Sequence, residues 1–393
     1  MSDVQTVEQL DGEALQALQR RDYAGARRAL ECITGLRPED VAYWLKLAGI
    51  CRAQGDLAAA IAAVERALIA HPRNFHALLM MGSLLERRKD PGAAKFYEIA
   101  IGLAPPEEHL DKATRQALDH ARVAHRQHVA GLGAFLRDRL SADLGAASAL
   151  ERRKIDLFID DALGLRKRYR QEPAQFYYPR LPDIEFYERE LFPWLAALEA
   201  AYADVLEELN GVLATGAEGF TPYVEYPPYV PADQWEELNH NPRWGAFHML
   251  KHGERVAANA DRCPKSMAAV AQCPQPVIKA RGPNAMFSAL APQTHIPPHE
   301  GVSNVRLVCH LPLIVPEGCT FRVGNETRPW RAGQAWVFDD TLNHEAHNAS
   351  NEVRIIFMFD VWNPFLNETE KALIAETMGL MDEFLGLAKD GGL

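Results

Sequence analysis

Histidine is the commonest side-chain metal ligand. Five of the chain's fourteen histidines, His295, His299, His310, His344 and His347, fall close together in the last third of the sequence. Short apolar runs surround them between residues 275 and 362: AMFSALA, VRLVCHLPLIV, CTFRVG, QAWVFDD and VRIIFMFDVW, with turn signals P-E-G, G-N-E-T and R-A-G between. That spacing predicts an antiparallel sandwich or barrel, most naturally a jelly-roll. In H-I-P-P-H-E-G the prolines restrict the backbone, so His299 is expected at a strand entry. His344 follows V-F-D-D-T-L-N, and two imidazoles on neighbouring strands of a small barrel can converge on one ion. Taken singly, a histidine is more often an ordinary hydrogen-bonded side chain than a ligand.

Strand alternation adds detail. In V-R-L-V-C-H-L, Arg306, Val308 and His310 share one face, and Leu307, Cys309 and Leu311 the other. Arg354 is likewise set in an apolar run, with Ile356 and Met358 on its side. A guanidinium inside a barrel needs an anion; either a bound dicarboxylate or an internal salt bridge would satisfy it.

The elements that must carry these residues come in two kinds. Ahead of them Pro38, Pro72 and Pro106 recur at a 34-residue period, as do Asp22, Asp56 and Asp90, Ala26, Ala60 and Ala94, and the small residues Ala14, Ala48 and Gly82. Each unit reads as helix, turn, Ala-rich helix and a proline stop, and resembles the tetratricopeptide repeat in about three copies over residues 7–108; Trp44 fills the large apolar position of the second copy and Leu10 replaces it in the first. Residues 109–174 are polar and helix-prone, a cap and connector. Near residue 173 prolines and aromatics become frequent, opening a second domain over 175–365, and residues 366–393 read as an amphipathic helix with Leu373, Met378, Met381 and Leu385 on one side.

Composition bounds what such a chain can do. It has 393 residues, 48% hydrophobic and 24% charged, and six scattered cysteines without C-x-x-C spacing, which argues against a disulfide framework or thiolate zinc. The net charge of −11, with no basic block, excludes a nucleic-acid surface. No signal-like amino terminus and no run of 18 apolar residues occurs, so a cytoplasmic location without a membrane partner is expected.

The string MFSALAPQTHIPPHEGVSNVRLVCHL, then EGCTFRVGNETRPW, FDDTLNHEA and DVWNP, closely resembles the aspartyl/asparaginyl β-hydroxylase family, and upstream YYPRLP, LFPW and WGAFHMLKHG are similar to it as well. The resemblance spans about residues 175–365 and implies an α+β multidomain chain: an N-terminal α-solenoid, then a double-stranded β-helix (jelly-roll, cupin-like) domain with flanking helices. It further implies an Fe(II) enzyme using 2-oxoglutarate as co-substrate and O₂, with His299 and His344 as catalytic metal ligands. Gly301 stands where wider relatives place a third, carboxylate ligand, a departure the family itself shows. Arg354 and the Ser288 hydroxyl would bind the distal carboxylate of 2-oxoglutarate and His310 the nearer one. Animal members have arginine where this chain has Val308; Arg306, on the same face, would make up the missing charge. Asp339 and Asp340 would orient His344, while His295 and His347 would be structural. The implied reaction is hydroxylation at the β-carbon of an aspartyl, asparaginyl or similar residue in a peptide or protein recruited by the repeats. A repeat-based adaptor with an inactive barrel is the alternative, and oligomeric state stays open.

Overall fold

The computed structural model describes residues 3–385. The chain divides into two compact units, Met1–Leu165 and Arg166–Leu393, so the boundary falls a few residues before the change of composition near 173.

The first unit is helical throughout. Helices α1 (Asp3–Gln19), α2 (Tyr23–Leu36), α3 (Val41–Ala53), α4 (Leu57–Ala70), α5 (Phe75–Arg87) and α6 (Ala93–Gly102) form three hairpins, followed by α7 (Lys112–Ala146) and α8 (Ala149–Ala162). The 34-residue recurrence of aspartate has a mechanical cause. Asp22 and Asp56 cap α2 and α4 by accepting the Gly25 and Ala59 backbone N–H groups, satisfying donors the helix start leaves open. Asp90 does the equivalent for Gly92 N, and Pro91 shifts that helix start to Ala93. The recurring small residues mark close approach: a Cβ on Gly82 would lie 2.4 Å from the Tyr97 ring, while Ala48 and Ala60 are fully buried. Leu110 just ahead of α7, and Leu118 and Ala121 on it, pack with Phe75, Leu78 and Tyr97.

The second unit holds helices α9 (Leu195–Ala200), α10 (Tyr202–Ala214), α11 (Ala257–Ala260), α12 (Pro264–Ala271) and α13 (Glu368–Leu385). Its strands are β1 (Thr221–Pro222), β2 (Trp244–Lys251), β3 (Glu254–Arg255), β4 (Ala285–Leu290), β5 (Thr294–His299), β6 (Arg306–Ile314), β7 (Cys319–Val323), β8 (Glu326–Pro329), β9 (Trp336–Phe338), β10 (His344–Asn348) and β11 (Arg354–Trp362). They make a seven-stranded sheet in the order β1-β2-β4-β11-β6-β9, with β3 beside β2, and a four-stranded sheet β5-β10-β7-β8, antiparallel throughout. The larger sheet is buried on both faces. Ile355, Phe357, Phe359 and Val361 of β11 pack with Leu307, Cys309 and Leu311 of β6 against α9, α10 and α12. The alternate residues Arg354, Ile356, Met358, Arg306, Val308 and His310 line a cavity of about 500 Å³ shared with the smaller sheet. A strand buried on both sides reads as a continuous apolar run, which is why the polar exceptions stand out.

In α13 the stripe facing the unit is Ile374, Met378 and Asp382; Leu373, Met381 and Leu385, expected to share its apolar side with Met378, are largely exposed. Residues 386–393 of the expected helix lie outside the described residues.

Candidate active site

His299 ends β5 and His344 begins β10, directly paired across the smaller sheet. His299 therefore sits at a strand exit, not at the entry expected for it. The prolines are tolerable because β5 is an edge strand bonded on one side only. A register irregularity in the β5–β10 pairing lets Ile296 and His299 both line the cavity, while His295 turns outward to Glu345 and lies 5.5 Å from the His347 ring.

The two inward imidazoles stand with ring centroids 4.0 Å apart. Nδ1 of His299 lies 2.8 Å from the Pro297 carbonyl oxygen and Nδ1 of His344 3.0 Å from that of Leu342. A carbonyl only accepts, so Nδ1 carries the proton in both rings and Nε2 keeps its lone pair, the state a metal requires. Burial, with each other's company for His299, holds both rings neutral: His299 is pushed down to about 3 and His344 to about 4. Among the described residues no group of three or more His, Cys, Asp or Glu side chains converges as a metal site. A two-histidine donor set is what the fold offers.

Asp339 builds the turn that delivers His344. Its Oδ1 accepts both the Thr341 N–H and hydroxyl, its Oδ2 accepts from Gln171 Nε2 at 2.6 Å, and burial raises it to about 7. Asp340 turns into the cavity; there its Oδ2 lies 3.1 Å from Arg306 Nη2, and burial raises its pKa. Arg306 also gives Nη1 to Asp360 Oδ1 at 2.9 Å. That corrects the expectation for Arg306: it is held in an internal double salt bridge and does not make up for the cation absent at Val308.

Arg354 is the opposite case. Only 1% of it is exposed, Nη1 donates to the Ser288 carbonyl oxygen at 3.3 Å, the guanidinium lies 4.8 Å from the Trp330 ring, and Nε has no partner among the described residues. Burial without a paired carboxylate lowers it to about 10. Beside it Ser288 Oγ accepts from Trp244 Nε1 at 3.2 Å, so the hydroxyl proton is free to be donated. His310 Nδ1 accepts from Trp330 Nε1 at 3.4 Å, which leaves its Nε2 as a buried N–H without a partner. Phe321 and Phe338 pack against both His310 and His344.

Ser288, His299, His310, Arg306, His344 and Arg354 thus line one cavity. Sequence reasoning missed Asp360, Trp330, Trp244 and Tyr223. Asp360 was findable, being on Arg354's face of the same strand; Trp330 and Trp244 end and begin the family-like strings EGCTFRVGNETRPW and WGAFHMLKHG without being singled out, and Tyr223 lies outside them.

Residues 199–364 match the family described as Aspartyl/Asparaginyl beta-hydroxylase. This part of the chain is similar to the aspartyl/asparaginyl β-hydroxylase family. Residues 12–73 and 52–108 match the tetratricopeptide repeat. Among curated relatives, the human aspartyl/asparaginyl beta-hydroxylase is 32% identical over 190 residues, which is 46% of this chain and 24% of that protein. The ornithine lipid ester-linked acyl 2-hydroxylase of Rhizobium tropici is 32% identical over 197 residues, 49% of this chain and 66% of the relative. Human aspartate beta-hydroxylase domain-containing protein 2 is 30% identical over 51% of this chain and 53% of its own length. The chain therefore spans from about a quarter to just under two thirds of these relatives. A solved Yersinia enterocolitica type III secretion chaperone, SycD with a YopD peptide, resembles 30% of this chain at 20% identity and a TM-score of 0.28, covering 95% of that structure. The relatives are named as hydroxylases, and no helix among the described residues is long and apolar enough to cross a membrane.

Proposed function

We propose that the second unit is an Fe(II)- and 2-oxoglutarate-dependent dioxygenase whose two sheets form a double-stranded β-helix. The observation that carries this is a buried guanidinium, Arg354, with no acidic partner among the described residues, in the same cavity as two neutral imidazoles whose Nδ1 atoms face backbone carbonyls and whose Nε2 atoms keep their lone pairs. An internal dianion and a metal are what such a donor set fits. His299 and His344 would hold the iron, which with 2-oxoglutarate and O₂ supplies the oxidising power to hydroxylate an unactivated C–H bond.

The chain's own residues bind, orient and exclude water. Arg354 gives charge-assisted hydrogen bonds to the distal carboxylate of 2-oxoglutarate, joined by the Ser288 hydroxyl. His310 offers its Nε2–H to the other carboxylate, uncharged and so without repelling the nearby metal. Phe321, Phe338, Val308 and Ile356 keep that end of the cavity dry. No general base is required of any side chain. By similarity to the family the acceptor is the β-carbon of an aspartyl, asparaginyl or similar residue in a peptide or protein presented by the helical repeats.

Purified protein with Fe(II), ascorbate and 2-oxoglutarate is expected to release succinate, and the His299→Ala/His344→Ala double variant to lose both bound iron and turnover. Equal iron content and equal succinate from the two proteins would overturn the reading.

A further inference from the structure

The wall of the cavity built by Arg306, Asp340 and Asp360 is anionic, despite the arginine at its centre. Both Nη nitrogens of Arg306 are committed, one to each carboxylate. Asp360 Oδ2 is filled by the backbone and side-chain N–H groups of Asn284, both at 2.8 Å. Asp340 Oδ1 is different: the residue is 7% exposed, the atom is buried, it has no hydrogen-bond partner among the described residues and it belongs to a residue lining the cavity. A buried carboxylate oxygen without a partner is costly, and a hydrogen-bond donor or a cation seated against it relieves that cost. Further charged side chains line the cavity. Arg281 is tied by both carboxylate oxygens of Asp382, and Lys251 is exposed, as is Glu225; Glu300, half-buried, accepts from Asn343 at 2.7 Å.

Aromatic faces complete the wall. Tyr223 stacks on Trp244 at 4.0 Å, Trp235 lies 5.9 Å from Trp244, and Trp235 meets the His299 ring edge-on at 4.9 Å. Aromatic faces beside carboxylates attract nitrogen cations and N–H donors and have nothing to offer a carboxylate. Val308, the residue between Arg306 and His310 on that strand face, is apolar and adds no cation to it.

We propose that the group of the substrate seated against Asp340 is a nitrogen donor, a carboxamide or an ammonium, and that free carboxylates are excluded from this wall. The inference rests on reading the cavity as a hydroxylase site, and it narrows the acceptor from the aspartyl/asparaginyl pair to its nitrogen-bearing side.

Three probes with a common backbone test it on the full-length chain with saturating 2-oxoglutarate: the N-acetyl methylamides of asparagine, of its isostere aspartate and of 2,4-diaminobutyrate, read by quenching of tryptophan fluorescence. The asparagine and diaminobutyrate probes are expected to bind at least about tenfold more tightly than the aspartate probe, because a like charge set against the wall is expelled. The Asp360→Asn variant, confirmed folded by its thermal melt, should narrow that gap. Aspartate binding equally or more tightly, or no probe binding at millimolar concentration, would overturn the proposal, and the wild-type comparison suffices if the variant does not fold. Binding of 2-oxoglutarate is titrated separately, so its failure would count against the dioxygenase reading and not against the donor preference.

Discussion

The carboxyl group of Asp340 occupies the volume a side chain at position 301 would need: a Cβ built on Gly301 would lie 2.2 Å from Asp340 Oδ2 and 2.3 Å from its Cγ. Glycine at 301 and aspartate at 340 are one arrangement, in which a carboxyl group from the turn before His344 fills the space beside residue 301. Alanine at 301 must push Asp340 away from Arg306. We expect Gly301→Ala to cost about 1–3 kcal/mol, the usual range for overpacking a filled site. Denaturant midpoints measure it, and an unchanged midpoint would mean that Asp340 moves aside freely.

Two arginines that look alike in the sequence should behave in opposite ways. Arg354 has no acidic partner, so Arg354→Gln is expected to raise the 2-oxoglutarate KM by at least about thirtyfold with little change in the iron requirement, in line with the loss of a buried charge pair. Arg306→Gln strands Asp340 and Asp360 without a counter-charge and should destabilise the fold by about 3–5 kcal/mol. Its 2-oxoglutarate KM should stay within about threefold of wild type. Parallel titrations of iron and 2-oxoglutarate decide the matter; a large KM effect at Arg306 would put it back in the co-substrate pocket.

Much of this was legible because strand alternation is rigid. Arg306, Val308 and His310 face the cavity and Leu307, Cys309 and Leu311 the helices, as period two requires. The same rule applied to β5 would put His295 and His299 on one face, and the irregularity beside the prolines breaks it. Strands β5 and β10 were expected only through their histidines, since THIPPH and HEAHN are too polar to announce themselves, and β2 and β8 were not read as strands. Whether an arginine inside a sheet is paired within the protein depends on residues distant in sequence; Arg306 and Asp360 are 54 apart.

Asp339 supplies a pH dependence of known sign. Burial raises it to about 7, above its ordinary value near 4, so the native state binds the extra proton between them. Its contribution is fully present below about 4 and is lost as pH rises through about 7. Asp339→Asn should therefore lose less stability than wild type between about pH 5 and pH 8. Unfolding midpoints at the two pH values measure this, and parallel slopes would show that Asp339 is ionised at both.

Trp330 acts on the co-substrate through His310. Its Nε1–H is given to His310 Nδ1 at 3.4 Å, which places the histidine proton on Nε2, where a carboxylate can accept it. Phenylalanine keeps the aromatic face beside Arg354 and removes only that donor, letting His310 adopt either tautomer. Trp330→Phe is expected to weaken 2-oxoglutarate binding by about two- to tenfold and to leave iron affinity unchanged. In the His310→Ala background the same change should have almost no further effect, since there is no tautomer left to fix. Binding constants for the four proteins close the cycle. If the two losses simply add, Trp330 works through packing against Arg354 and not through the histidine.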